Sequence, residues 1–171
     1  ILNAPGVTPE HFASLRQVSS GGAPMPFEVQ QQLEKLVGRR IGGGWGMTET
    51  CPAGTRIPPD APRRAGLIGL PLPGIAMRIV DPDSPTIERP VGEVGEMALR
   101  GPNVFSGYCN RPAEENARAF ADGWFLTGDM GWMDEAGHFT LVDRRKNMIL
   151  SGGFNVYPAQ IEQAIYEHPD V

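Results

Sequence analysis

Cysteine is almost missing from this chain of 171 residues: only Cys51 and Cys109 occur. They lie far apart, with no further Cys or His at ligand spacing, so neither a disulfide framework nor a zinc site is indicated. A reducing, intracellular compartment is the expectation. Long apolar runs are missing too. No segment approaches the ~20 residues of a transmembrane helix, and no basic start leads into an apolar stretch like a signal peptide, which makes the cytoplasm the expected location. Positive charge is short: 15 Lys and Arg stand against 20 Asp and Glu, for a net charge of -5. Without a basic run or basic amphipathic face, the chain is not expected to bind nucleic acid or anionic membranes non-specifically, and small-molecule partners are favoured. Periodicity is absent as well. The 22 Gly and 17 Pro follow no fixed spacing, against a repeat array or a low-complexity tract.

What is present suffices for a core. With 40% hydrophobic and 20% charged residues, the chain fits one ordinary domain, or one domain plus part of another. Residues 9–15 predict a short helix and residues 17–20 a strand running into a glycine pair. Residues 26–37 predict a helix, since Pro26 suits a first turn and Phe27, Val29, Leu33, Leu36 and Val37 recur at roughly helical spacing. Arg40 and Ile41 then lead into Gly42–Gly46, a second strand edge, so this part is βαβ-like. From Thr55 on the period becomes two. Ile75, Met77 and Ile79 alternate with Ala76, Arg78 and Val80, and Met97 and Leu99 with Glu96, Ala98 and Arg100, as in half-buried antiparallel strands of a small β-barrel or sheet. Residues 134–137 predict a hairpin turn.

After Asp143 the pattern changes again. Residues 144–147 read as a basic, solvated link with Arg145 an exposed charge, residues 148–150 as a strand and residues 151–155 as a turn. A helix starts at Pro158 with Ile161, Ala164 and Ile165 on one face. A domain boundary is expected near Lys146, dividing residues 1–145 from 146–171. The first residue is Ile1 rather than Met, and Val171 follows directly on a helix-like segment. The expectation is a piece of a longer protein.

Two glycine-rich strand ends carry candidate chemistry. "SSGGAP" (19–24) and "GGWGMTE" (43–49) let backbone come close to a ligand because glycine lacks a Cβ, and ligands of α/β sheets bind at such strand ends. Trp45 offers a flat face for an aromatic base, Thr48 a hydroxyl for a phosphate oxygen and Glu49 an oxygen ligand for magnesium. Plainer readings stand beside these: glycines that only turn, Trp45 in the core, Thr48 as a helix N-cap. A third stretch, "LTGDMG" (126–131), sets a lone carboxylate between two glycines. His11, His138 and His168 read as surface or turn residues.

Five blocks in fixed order, "SSGGAPMP", "GGGWGMTET", "GEVGEMALRGPNVFSGY", "GWFLTGDMGWMDEAGHFTLVDRRKNMILSGGFNVYP" and "PAQIEQAI", cover essentially the whole chain. Taken together they resemble the adenylate-forming enzymes: acyl-CoA synthetases, adenylation domains of nonribosomal peptide synthetases, and firefly luciferase. The resemblance implies an α/β and β fold: the last part of a large N-terminal domain, with a βαβ sheet edge and a small β-barrel subdomain, followed by the start of a small, mobile α+β C-terminal domain. It implies that Gly21, Gly22, Ala23 and Pro24 line the acyl and adenine pockets, with Gly44, Trp45 and Gly46 at the adenine, where tyrosine or phenylalanine is more usual than tryptophan. Thr48 would contact the α-phosphate and Glu49 would hold Mg2+. Asp129 would accept both ribose hydroxyls, because two acceptor oxygens meet two adjacent donors. Arg144 would approach ribose and phosphate, Lys146 would be the hinge, and Gly153 would lie beside the pantetheine of CoA.

The implied reaction has two halves. A fatty or aryl carboxylate attacks the α-phosphate of MgATP to give an acyl-adenylate and pyrophosphate; a thiol, that of CoA, then takes the acyl group and AMP leaves. Loading of a carrier protein, or a non-catalytic nucleotide-binding relic of the fold, are the alternatives. The family's phosphate loop and its adenylation lysine are not among these residues, and the piece by itself is expected not to catalyse adenylation.

Overall fold

The computed structural model describes residues 1–23, 25–152, 154–166 and 168. The expected helix over 9–15 is only a 3-10 turn, Pro9–Phe12, with no buried residue to extend it against a core. Strand β1 (Val18–Ser20) leads to helix α1 (Phe27–Val37) and strand β2 (Ile41–Gly43). β1 and β2 pair in parallel, Val18 opposite Ile41, which makes the expected βαβ unit. Helix α1 ends at Gly38, whose φ of 67° is left-handed and suits a residue without Cβ. Its buried face carries Glu34. That carboxylate accepts the Ile41 N–H at 2.8 Å and pairs with Arg63 at 2.5 Å, tying the helix to β2.

The larger body is antiparallel. Its strands are β3 (Thr55–Arg56), β4 (Leu67–Pro71), β5 (Ala76–Val80), β6 (Gly95–Arg100), β7 (Phe120–Ala121), β8 (Trp124–Met133) and β9 (Phe139–Arg144), with a short helix α2 (Ala113–Arg118) before β7. The order is β3-β4-β9-β8-β6-β5, with β7 also on β8. Among the described residues β3 and β5, at the two ends of that path, do not pair with each other, so the expected barrel or sheet takes the form of a curled antiparallel sheet. Ile68, Ile79, Met97 and Phe139 form its core, with Trp45, Met77, Met133 and Leu141 packed on them.

β6 departs from the half-buried expectation. Residues 95–99 are all buried, because the strand has a neighbour on each edge and cover on both faces. Glu96 therefore lies inside rather than in solvent, 3% exposed.

β8 is interrupted where the sequence places its carboxylate. Glu96 pairs with Met130 but Ala98 pairs with Leu126, so Thr127, Gly128 and Asp129 share the space opposite Met97. This is a β-bulge.

Beyond β9 a 3-10 turn, Arg145–Asn147, leads to strands β10 (Ile149–Ser151) and β11 (Phe154–Val156) and helix α3 (Pro158–Tyr166). The expected turn over 151–155 is tighter, since Ser151 already pairs with Phe154. In this part Tyr157 is buried, whereas Leu150 and Phe154 are among the most exposed apolar residues described. Asp143 Oδ2 accepts the Ala159 N–H at 3.1 Å, and the Gln163 amide donates to Glu28 of α1 at 2.5 Å. No helix among the described residues is long and apolar enough to cross a membrane.

Candidate functional site

A bulge removes ladder hydrogen bonds, and here side chains replace them. Thr127 Oγ1 donates to the Met97 carbonyl at 2.7 Å and accepts the Asp129 N–H at 3.1 Å; the Gly128 N–H donates to Glu96 Oε1 at 3.0 Å. Gly128 takes φ 71°, which a Cβ would disfavour. Held from three sides, the bulge turns the Asp129 side chain toward two partners from other parts of the chain.

Trp45 Nε1 donates to Asp129 Oδ2 at 2.7 Å, and Arg144 Nε lies 3.3 Å from Oδ1. Asp129 is buried, 4% exposed. Burial pushes its carboxyl above the usual carboxylate range, opposed by the Trp45 N–H and the Arg144 charge. Each oxygen keeps a lone pair, so the carboxylate can accept from two adjacent hydroxyls.

Gly21, Gly22, Gly44, Trp45 and Gly46 line one cleft of about 840 Å³. The two glycine loops reach it for different reasons. A Cβ at Gly21 or Gly22 would meet open space, whereas one at Gly44 would strike the Thr55 carbonyl and one at Gly46 the Pro52 carbonyl. The missing Cβ atoms of Gly44 and Gly46 are thus required by the chain's own backbone. Trp45 packs on the core, as its plainer reading has it, and also lines the cleft. Ala23 is exposed at the loop; Pro24 and Gly153 lie outside the described residues.

Thr48 and Glu49 open a 3-10 turn, Thr48–Thr50, whose N-cap is Met47 rather than Thr48. The turn is pinned by residues to which the sequence assigned no role. Thr50, fully buried, accepts the Met47 N–H through Oγ1 and donates to the Met47 carbonyl, both at 3.0 Å. The Asn103 amide donates to the carbonyls of Thr50 and Ala53. Phe105 N–H donates to the Glu49 carbonyl, and Tyr108 OH to Glu49 Oε1, each at 2.9 Å. Burial and this bond to a carboxylate push the Tyr108 phenol up. The signal was the block "GPNVFSGY" (101–108), whose polar and aromatic residues fall between predicted strands.

Lys146 is exposed in the turn Arg145–Asn147. Arg145 beside it is exposed, as expected, yet also paired: Nη1 lies 3.2 Å from the buried Glu96 and Nη2 3.0 Å from Asp83. Thus Trp45, Asp129 and Arg144 are brought into contact, Glu49 lies near enough for its charge to bear on Asp129, and Lys146 stands apart at the border.

A family model described as "AMP-binding enzyme" matches residues 1–109. The long-chain-fatty-acid–CoA ligase of Bacillus subtilis (strain 168) is 38% identical over 98% of this chain and 30% of its own length. The indoleacetate–CoA ligase of Aromatoleum aromaticum is 39% identical over 94% of this chain and 31% of its own. Among solved structures, the ATP-bound MatB of Rhodopseudomonas palustris superposes with a TM-score of 0.90 at 38% identity, over 98% of this chain and 33% of that one. The chain therefore spans about a third of the length of the relatives it matches.

Proposed function

The chain belongs to the AMP-binding enzyme family, and on that premise we propose that the full-length protein is an AMP-forming acyl-CoA ligase that joins a fatty or aryl acid to CoA through an acyl-adenylate. The observation that carries this reading is the buried Asp129 carboxylate, presented on a bulge between the Trp45 indole and the Arg144 guanidinium. Such a carboxylate suits a ribose diol, and the flat indole beside it suits adenine. The arginine charge suits the α-phosphate, and the Thr48 hydroxyl would contact the same group. Gly21, Gly22, Ala23 and Pro24 would border the acyl group. Relatives named for long-chain fatty acids and for indoleacetate support the acid class.

Magnesium fits through one residue. Glu49 would hold it, since that ion takes one or two carboxylates and completes its shell with substrate phosphates and water. No group of three His, Cys, Asp or Glu that could hold a metal gathers among the described residues. When bound, the ion neutralises charge on the phosphates. Catalysis by the chain's own groups is then positioning and charge stabilisation. Residues 1–145 would form the last part of the nucleotide-binding domain and 146–171 the start of a mobile one, with Lys146 the hinge and Gly153 beside CoA.

The test is exchange of labelled pyrophosphate into ATP by the full-length protein, over a panel of fatty and aryl acids, followed by addition of CoA. Exchange with one class and thioester formation are expected. A folded protein that binds AMP but exchanges with no acid would leave only a nucleotide-binding module.

A further inference from the structure

Glu96 touches both the carboxylate-bearing bulge and the border turn. It is buried on β6, a strand paired on both edges, and its two oxygens are divided between tasks. Oε1 accepts the N–H of Gly128, the residue before Asp129; Oε2 pairs with the guanidinium of Arg145, the residue before Lys146. Arg145 is anchored a second time by Asp83 at 3.0 Å. Beyond Lys146 the contacts are of another kind. Asp143 caps the start of α3 through the Ala159 N–H, and Gln163 reaches Glu28; neither involves a buried charge pair.

We propose that Glu96 and Arg145 are positioning residues that form the fixed side of the joint at Lys146 and couple it to the Asp129 bulge; this rests on the ligase reading and deepens it. A rotation about Lys146 must be absorbed by few residues, and the residue before it must stay with the sheet if the nucleotide is not to be disturbed. A guanidinium paired with an interior carboxylate does this better than a solvated pair, because parting them would strand a charge in the core. Rotation is thereby confined to the residues after Arg145. The Gly128 bond on the same carboxylate keeps the bulge in place while the following segment moves. The contacts at Ala159 and Gln163 belong to the moving side, and break and re-form.

The test compares the two half-reactions in the full-length protein. Arg145→Ala should lower CoA thioester formation about tenfold while acid-dependent pyrophosphate exchange stays within about threefold. Arg145→Lys should restore most of the loss. Glu96→Gln, which keeps an acceptor for Gly128 and strands no charge, should give the same split, and the double variant should be no worse than Arg145→Ala alone. Equal loss in both half-reactions, or loss in neither, overturns the proposal. If the unaltered protein exchanges with no acid, the ligase reading is what fails, and amide hydrogen exchange decides the joint. Arg145→Ala should then speed exchange at Gly128 and at residues 146–148 about tenfold, leaving β5 unchanged. Unchanged exchange there would sink the joint as well.

Discussion

The antiparallel sheet and the C-terminal hairpin with its helix treat apolar residues in opposite ways. In β6, Met97, Ala98 and Leu99 are fully buried; in β10 and β11, Leu150 and Phe154 are 71% and 75% exposed. Both stretches are apolar, so hydrophobicity does not separate them. Neighbours do. β6 is paired on both edges, whereas among the described residues β10 and β11 pair only with each other, and a lone two-stranded ribbon covers neither of its faces. Asp129, proposed to meet the nucleotide, stands on the first kind of ground, and the proposed hinge lies where it gives way to the second. Rigid presentation of a ligand group and freedom to move are thus divided along the chain.

The contrast can be tested from its strongest side first. Leu99→Ala in the 171-residue chain should cost about 3 kcal/mol in urea unfolding, since a fully buried leucine leaves a cavity in a paired strand. Asp129→Ala in the full-length protein should weaken AMP about thirtyfold by calorimetry, the scale of lost charge-assisted hydrogen bonds; an unaltered affinity would mean that the sheet presents this carboxylate to nothing. Trp45→Phe keeps the flat face and removes the N–H on Asp129 Oδ2. A loss of about fivefold for ATP is expected, smaller for 2′-deoxy-ATP, which lacks one hydroxyl that reads the position of the carboxylate. Phe154→Ser should change unfolding of the 171-residue chain by no more than about 0.5 kcal/mol. Were it to cost as much as Leu99→Ala, the two regions would not differ as described.

The elements were largely legible in the sequence because each carried a local signal: helical spacing in α1, alternation in β5, turn residues between β8 and β9. The candidate site was legible as motifs and not as geometry. Asp129 could be named, but the bulge that turns it could not, since its hydrogen bonds come from Met97 and Glu96, some thirty residues away. Glu96 looked like the polar member of an alternating strand, because alternation tells which face a residue takes and not whether that face is covered. Arg145 is exposed as read, but its ion pairs were hidden for a related reason: its partners Glu96 and Asp83 are 49 and 62 residues distant. For Gly44 and Gly46 the sequence left ligand approach and plain turning side by side, and could not show that the chain's own carbonyls at Thr55 and Pro52 need their missing Cβ atoms.

The bulge in β8 also bears on how the chain avoids misfolding. A strand of regular alternation can slide by two residues along its partner and still bury the same face, so slipped pairings compete with the correct one. Three residues opposite the single Met97 remove that freedom. Only one alignment of β8 on β6 sets the Gly128 amide against Glu96 and the Thr127 hydroxyl against the Met97 carbonyl. A slipped strand would leave a buried carboxylate without its donor and an amide without its acceptor, so the error is penalised where the ligand group is made. Proofreading of the fold and presentation of the Asp129 carboxylate are then one act: a molecule that has paired its strands wrongly has no site to offer.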